Sequence, residues 1–183
     1  MTPNVEIRRW SDVRLDPDQA RVIADINSVF FQSSARQTFE NEEEKAAFRE
    51  TWLGRYLALF PDLCFVAVDG NGRIVGYVIG SVEDPARDPL FADLELFSHF
   101  RDLTPHYPAQ LHVNLAPDWR GRGVGADLVN AFSDLARSRG APGVHVVTAR
   151  GMRNVRFYLT QGFVERRALA LNGRELLFLG RDL

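Results

Sequence analysis

The sequence predicts one α/β domain, α+β in arrangement, whose helices cover a sheet built largely of hairpins. Three observations carry this. A strand, a glycine-rich turn and a helix follow one another over residues 111–139. Two turn signals, Asp69-Gly70-Asn71-Gly72 and Asn172-Gly173, each stand between apolar runs of strand length. The 183 residues hold no internal repeat, low-complexity tract or composition break that reads as a linker. A chain of this length buries a real core without disulfides or metals, so residues 1–183 are read as a single domain.

The elements follow in order. Val5-Glu6-Ile7-Arg8 alternates and reads as a first strand. Asp16-Pro17-Asp18-Gln19 predicts a helix start, with Asp16 as N-cap, Pro17 at the first helical position and Gln19 three residues beyond the cap. Ala20, Ile23, Ile26 and Phe30 mark its apolar face. Residues 31–37 are polar and flanked by aromatics. They read either as a connecting loop or as a loop facing a substrate, since polar loops on a rigid scaffold often carry recognition. Asn41, followed by Glu42, Glu43 and Glu44, predicts a second helix with acid at its positive end. Phe48, Trp52, Tyr56 and Leu59 form its core stripe, and Pro61 stops it.

Residues 63–68 and 74–79 predict an antiparallel hairpin. Residues 83–89 read as a loop, 91–100 as a short helix, and Thr104-Pro105-His106-Tyr107-Pro108 as a second extended loop. Leu111, Val113 and Leu115 alternate with His112 and Asn114, the period of a strand with two different faces. Val124, Leu128, Phe132, Leu135 and Arg139 follow helical spacing, so a helix begins at or near Gly123; Gly140 and Pro142 end it. Residues 144–148 form a buried strand and 154–159 a short helix closed by Gly162. Residues 163–171 and 175–179 make a final hairpin, whose exposed edge could pair across a dimer.

Composition excludes several classes. Lys and Arg number 22 against 24 Asp and Glu, a formal net charge of -2, which leaves no footprint for nucleic acid or an anionic membrane. The arginines gather around the glycine loop and in the C-terminal third, where they suit a small anion. The single cysteine, Cys64, rules out an internal disulfide and reads as a small core residue within an apolar run. Four scattered histidines and one cysteine lack metal-ligand spacing, so no metal is expected. Residues 1–6 lack a signal peptide's apolar run, and no stretch is long enough to span a membrane. The expectation is a soluble cytoplasmic protein, monomer or homodimer.

The glycine turn carries the chemistry. In Arg120-Gly121-Arg122-Gly123-Val124-Gly125 the glycines let the main chain turn sharply and approach a ligand. The first N–H groups of the following helix have no internal partners, and the helix dipole favours an anion there. A pyrophosphate suits the site, with Arg120 and Arg122 as nearby cations. A Walker loop needs Lys and then Ser or Thr after its last glycine, but Ala126 and Asp127 follow Gly125. Gly121, Gly123 and Ala126 do fit a dinucleotide fingerprint, yet five residues separate the strand from the first glycine, and residues 143–150 offer no carboxylate for a ribose.

Arg120-x-x-Gly123-x-Gly125 resembles the pyrophosphate signature of the GCN5-related N-acetyltransferase (GNAT) superfamily, and Asn154-Val155-Arg156-Phe157-Tyr158-Leu159-Thr160-Gln161-Gly162-Phe163 resembles its second signature. The two lie in the family's order, one strand apart. Asp93-Leu94-Glu95-Leu96-Phe97 and residues 104–112 look like bacterial acetyltransferases related to the C-terminal acetyltransferase-like domain of animal O-GlcNAcase. In that animal domain the glycine loop is eroded; here it is intact. The resemblance implies a mixed, mostly antiparallel sheet of about six to seven strands, its two central strands splayed to admit acetyl-CoA.

It also implies roles. Backbone N–H groups of Arg122, Gly123, Val124, Gly125 and Ala126 would bind the pyrophosphate, with Arg120 and Arg122 adding charge. The main chain at Leu115 would meet the pantetheine and the acetyl carbonyl. Asn154 would bond the pantetheine or cap its helix, Phe157 would line the cofactor site, and Tyr158 would be the general acid that protonates the departing thiolate. The candidate base is His112, because the central strand offers no carboxylate; a histidine packed in the sheet is the competing reading. His145 stands on the neighbouring strand, and His99 and His106 fall in or beside loops. The implied reaction is direct acetyl transfer to an amine, small molecule or protein, in a ternary complex. The alternative is a module that binds acetyl-CoA without turnover.

Overall fold

A computed structural model describes residues 4–183; Met1-Thr2-Pro3, part of the segment read above for a leader, lie outside the described residues. Seven strands form one mixed, mostly antiparallel sheet among the described residues: β1 (Val5–Arg9), β2 (Phe65–Asp69), β3 (Ile74–Ser81), β4 (Ala109–Leu115), β5 (Gly143–Ala149), β6 (Val164–Leu171) and β7 (Arg174–Asp182). Their order is β1-β2-β3-β4-β5-β7-β6. Six α-helices among the described residues flank it: α1 (Trp10–Val13), α2 (Gln19–Ser33), α3 (Glu42–Arg49), α4 (Arg55–Leu59), α5 (Val124–Ser138) and α6 (Arg153–Thr160).

The chain divides into two compact units, residues 1–80 with 112–132 and residues 81–111 with 133–183. In the first, β2 and β3 pair as the predicted hairpin, and β1 adds antiparallel to β2. α2 starts later than predicted. Its N-cap is Asp18, which accepts the Arg21 N–H at 3.1 Å. Asp16 is occupied in an Asx turn, accepting the Asp18 N–H at 2.8 Å, and this holds Pro17 outside the helix. The buried face is Val22, Asp25, Ile26, Val29 and Phe30, while Ala20 and Ile23 are exposed. The reason is Asp25. The residue is 3% exposed, and its carboxylate receives the Arg73 Nε–H at 2.8 Å and the Ile74 N–H at 3.2 Å, which turns this side of α2 onto the hairpin.

Asn41 caps α3 as predicted, accepting the Glu44 N–H at 2.8 Å. The predicted single helix is interrupted by a π segment, Glu50–Gly54. The extra residue in that turn rotates the stripe, so Leu53, Tyr56 and Leu57 are buried and Leu59 is 53% exposed. Each fully buried apolar side chain of this size stabilises by roughly 1.5–3 kcal/mol.

In the second unit, β7 pairs with β5 on one side and β6 on the other. The β6–β7 turn is the predicted Asn172-Gly173, with φ of 51° and 73°. The expected helix over residues 91–100 is two 3-10 pieces, Pro89–Phe91 and Glu95–Phe100. Phe100, Tyr107 and Phe178 form the centre of this core, with Leu103, Val147, Leu169 and Leu176 around them. Gly143 and Gly180 leave room for the Tyr107 ring: a Cβ at Gly143 would lie 2.6 Å from Tyr107 Cδ1.

Candidate active site

β4 ends at Leu115 and a 3-10 turn, Pro117–Trp119, leads into the glycines. Gly121 and Gly123 have φ of 73° and 87°, values that L side chains rarely adopt. Nothing lies within 4 Å of where a Cβ would stand at either position. The main chain is therefore open on that side, and α5 starts immediately after. Its first turn closes on the Gly123 carbonyl, which accepts the Ala126 N–H at 2.9 Å and the Asp127 N–H at 3.1 Å. Ala126, expected to offer its N–H to a ligand, uses it inside the helix. Gly123, Val124 and Gly125 precede this closure, and donors at such positions have no intrahelical acceptor. They stand at the positive end of a 15-residue helix, a cradle for an anion.

The two arginines differ. Arg122 is exposed, its guanidinium 5.5 Å from the centroid of the Trp119 ring. Arg120 faces the chain: its Nε donates to the Leu115 carbonyl at 3.1 Å and its Nη2 to Ser33 Oγ at 3.4 Å. Ser33 Oγ donates to the same carbonyl at 3.2 Å. The Ala116 N–H donates to the Val75 carbonyl at 2.9 Å, and strand alternation then directs the Leu115 N–H away from β3. Gly76 permits this packing, because a Cβ there would sit 2.3 Å from Leu115 Cδ2.

His112 also lies on this part of β4. Its ring meets Trp52 and Tyr56 edge-on, at centroid distances of 5.9 and 5.7 Å. The residue as a whole keeps partial exposure, but Nε2 is shut off from solvent and has no hydrogen-bond partner among the described residues. Burial pushes its pKa down to about 4, so the imidazole is neutral at pH 7. Asn114, on the same face, donates to the Tyr77 hydroxyl at 2.7 Å.

In the second unit, β4 and β5 run parallel and pair at Ala109–Val144 and Gln110–His145, whereas β5 and β7 pair along Gly143–Ala149. Tyr158 is 4% exposed, between the rings of Phe157 at 5.2 Å and Phe163 at 5.4 Å. Asn154 does not cap α6: the N-cap is Met152, without a side-chain bond, and Asn154 Oδ1 accepts from Thr148 Oγ1 at 2.9 Å. His145 is fully buried, stacked on Phe178 at 4.6 Å, with Nδ1 donating to the Tyr107 carbonyl. It is a core histidine. His99 and His106 are exposed. Cys64 is buried, which pushes its thiol pKa up to about 12 and makes it inert.

Both signatures fall inside one match. The model of the acetyltransferase (GNAT) family matches residues 27–163. The chain belongs to the GNAT family. Among solved structures, SsHAT is 27% identical, with a TM-score of 0.71 over 98% of both chains. Two more distant structures share the fold. One is yncA from Salmonella typhimurium, solved with its cofactor acetyl-CoA, at 19% identity and TM-score 0.61 over 98% of this chain and 94% of that one. The other is ribosomal-protein-alanine N-acetyltransferase from Brucella melitensis, at 21% and 0.60 over 97% and 99%.

Sequence reasoning reached the GNAT loop and missed what supports it. Ser33, Trp52 and Tyr77 touch Leu115, His112 and Asn114, yet each stands tens of residues away in the chain. Only the polar stretch 31–37, which contains Ser33, hinted at a role. Among the described residues no cluster of His, Cys, Asp and Glu could hold a metal, and no helix is long and apolar enough to cross a membrane.

Proposed function

We propose that this GNAT protein transfers the acetyl group of acetyl-CoA directly to an amine in a ternary complex. The observation that carries the reading is the glycine loop, whose open, left-handed Gly121 and Gly123 deliver a set of amides to the start of α5. Acetyl-CoA supplies the activated thioester. The N–H groups of Gly123, Val124 and Gly125, with Arg122 beside them, hold the pyrophosphate. The Leu115 N–H donates to the thioester carbonyl, a type of donor whose removal costs about 2.7–4 kcal/mol. Asn154 and Phe157 serve the pantetheine arm. His112 receives the amine proton as the new C–N bond forms, and Tyr158 gives a proton to the departing thiolate. Cytoplasmic residence goes with the proposal on composition, with one buried cysteine and no disulfide.

A second reading has its own support. His112 is pushed down to about 4, and β4 offers no carboxylate in its place. These favour a module that binds acetyl-CoA without turnover.

Thiol release from acetyl-CoA in the presence of a panel of amines separates the two. The transferase reading predicts turnover that falls about a hundredfold or more in Tyr158→Phe, the scale of a general acid, with cofactor affinity unchanged. Equal rates in both proteins would remove Tyr158 from the mechanism. Tight acetyl-CoA binding with no release from any amine would favour the binding module.

A further inference from the structure

The sequence motif makes Arg120 a cation for the pyrophosphate, but its side chain points to a different task. Its Nε and the Ser33 hydroxyl converge on one acceptor, the Leu115 carbonyl, at 3.1 and 3.2 Å. They are joined to each other by the bond from Nη2 to Ser33 Oγ at 3.4 Å. On the other edge of the same peptide unit, the Ala116 N–H is held by the Val75 carbonyl at 2.9 Å. A single peptide plane is thereby fixed from both sides. It is the plane at which β4 becomes the loop, between the Leu115 N–H and the amides of Gly123, Val124 and Gly125.

We infer that Arg120 and Ser33 are positioning residues, which hold the Leu115 carbonyl so that the strand-end N–H and the loop amides keep one fixed spacing. The inference rests on the proposed acetyl-CoA reading and deepens it. Arg120 closes the residues 115–120 turn on itself, and Ser33 ties that turn to the C-terminal end of α2. A planar guanidinium suits the role because its donors lie in a fixed fork; a lysine ammonium presents a point charge instead. Ser33 supplies a hydroxyl that donates to the carbonyl and accepts from Arg120 in one geometry.

The test uses the whole chain, with coenzyme A and with acetyl-CoA carrying a 13C-labelled carbonyl. Calorimetry measures affinity, and isotope-edited infrared spectroscopy reads the hydrogen bond to the bound thioester carbonyl as a downshift of its stretch. Ser33→Ala is expected to leave coenzyme A affinity little changed and to lose part of the downshift, and Ser33→Thr to restore it. Arg120→Gln is expected to behave like Ser33→Ala. A direct phosphate ligand would instead lose about tenfold or more in affinity, as charge-assisted hydrogen bonds do. A carbonyl band identical in wild type and Ser33→Ala overturns the inference, as does a tenfold affinity loss in Arg120→Gln with the band in place. Wild-type protein that binds neither ligand overturns the cofactor reading, and this inference with it.

Discussion

His112 and His145 occupy similar places in the sequence, each in the middle of an apolar strand, and the folded chain treats them in opposite ways. His145 is enclosed, with one face on the Phe178 ring and Nδ1 donating to the Tyr107 carbonyl. His112 meets the Trp52 and Tyr56 rings edge-on, and its Nε2 is dry without a partner among the described residues. The difference lies in what holds each ring: a stacked face and a bonded Nδ1 for His145, edge-on rings for His112. A dry ring nitrogen without a hydrogen bond is costly; Nε2 is shut off from solvent in both rings, so what sets His145 apart is its stacked face and its bonded Nδ1.

Three perturbations would break or sharpen that contrast. The largest effect belongs to Phe178→Ala, which removes the ring under His145 and empties a fully buried site. It should cost about 3–5 kcal/mol of stability, read as a drop in thermal or urea midpoint. A loss below about 1 kcal/mol, within the range of ordinary surface changes, would show that the stack is incidental.

The second is acid. The folded pKa of His112 lies at about 4, below the unfolded value near 6.5. Between those values the unfolded chain binds the proton and the folded chain does not, so stability falls as the pH drops from about 6.5 towards 4. The limit of this contribution is about 3 kcal/mol, and His112→Gln should remove it from the pH profile of unfolding. A His112 imidazole that titrates near pH 6.5 by NMR would contradict the burial argument.

The smallest effect on stability is that of His112→Gln at pH 7, about 1 kcal/mol. If His112 takes the amine proton, this variant should lose acetyl transfer while still binding acetyl-CoA. Full activity would leave His112 as packing.

Patterns local in sequence were legible, and those set by distant contacts were not. Asn172-Gly173 announces its turn because few residues tolerate a positive φ. Asn41 announces α3 because a cap bonds three residues ahead. Asp16 misled because it can bond ahead in a turn as well as at a cap, and only the structure shows Asp18 taking the cap. The buried face of α2 was misread because Asp25 scores as polar until Arg73 and Ile74 are seen to satisfy it. The π segment adds a residue to a helical turn, and periodicity alone carries no mark of it.

The candidate site divides in the same way. The glycine loop turns through its backbone, with Gly121 and Gly123 at positive φ, so its spacing is written in the chain. Arg120 works through its side chain, and nothing in the motif tells whether that side chain meets a ligand or the Leu115 carbonyl. Tyr158 and Asn154 are candidates by family resemblance, and their neighbours Phe163 and Thr148 lie close to them in sequence.

The most direct test of the central claim is calorimetric titration of wild type and Gly123→Glu with acetyl-CoA, using NADP as the control ligand. Position 123 has a left-handed φ and faces open space, so the glutamate both strains the turn and sets negative charge beside the anion cradle. Wild type is expected to bind acetyl-CoA and not NADP, and folded Gly123→Glu to bind neither. Equal acetyl-CoA affinity in the two proteins, or none in a folded wild type, would mean that the loop is only a turn.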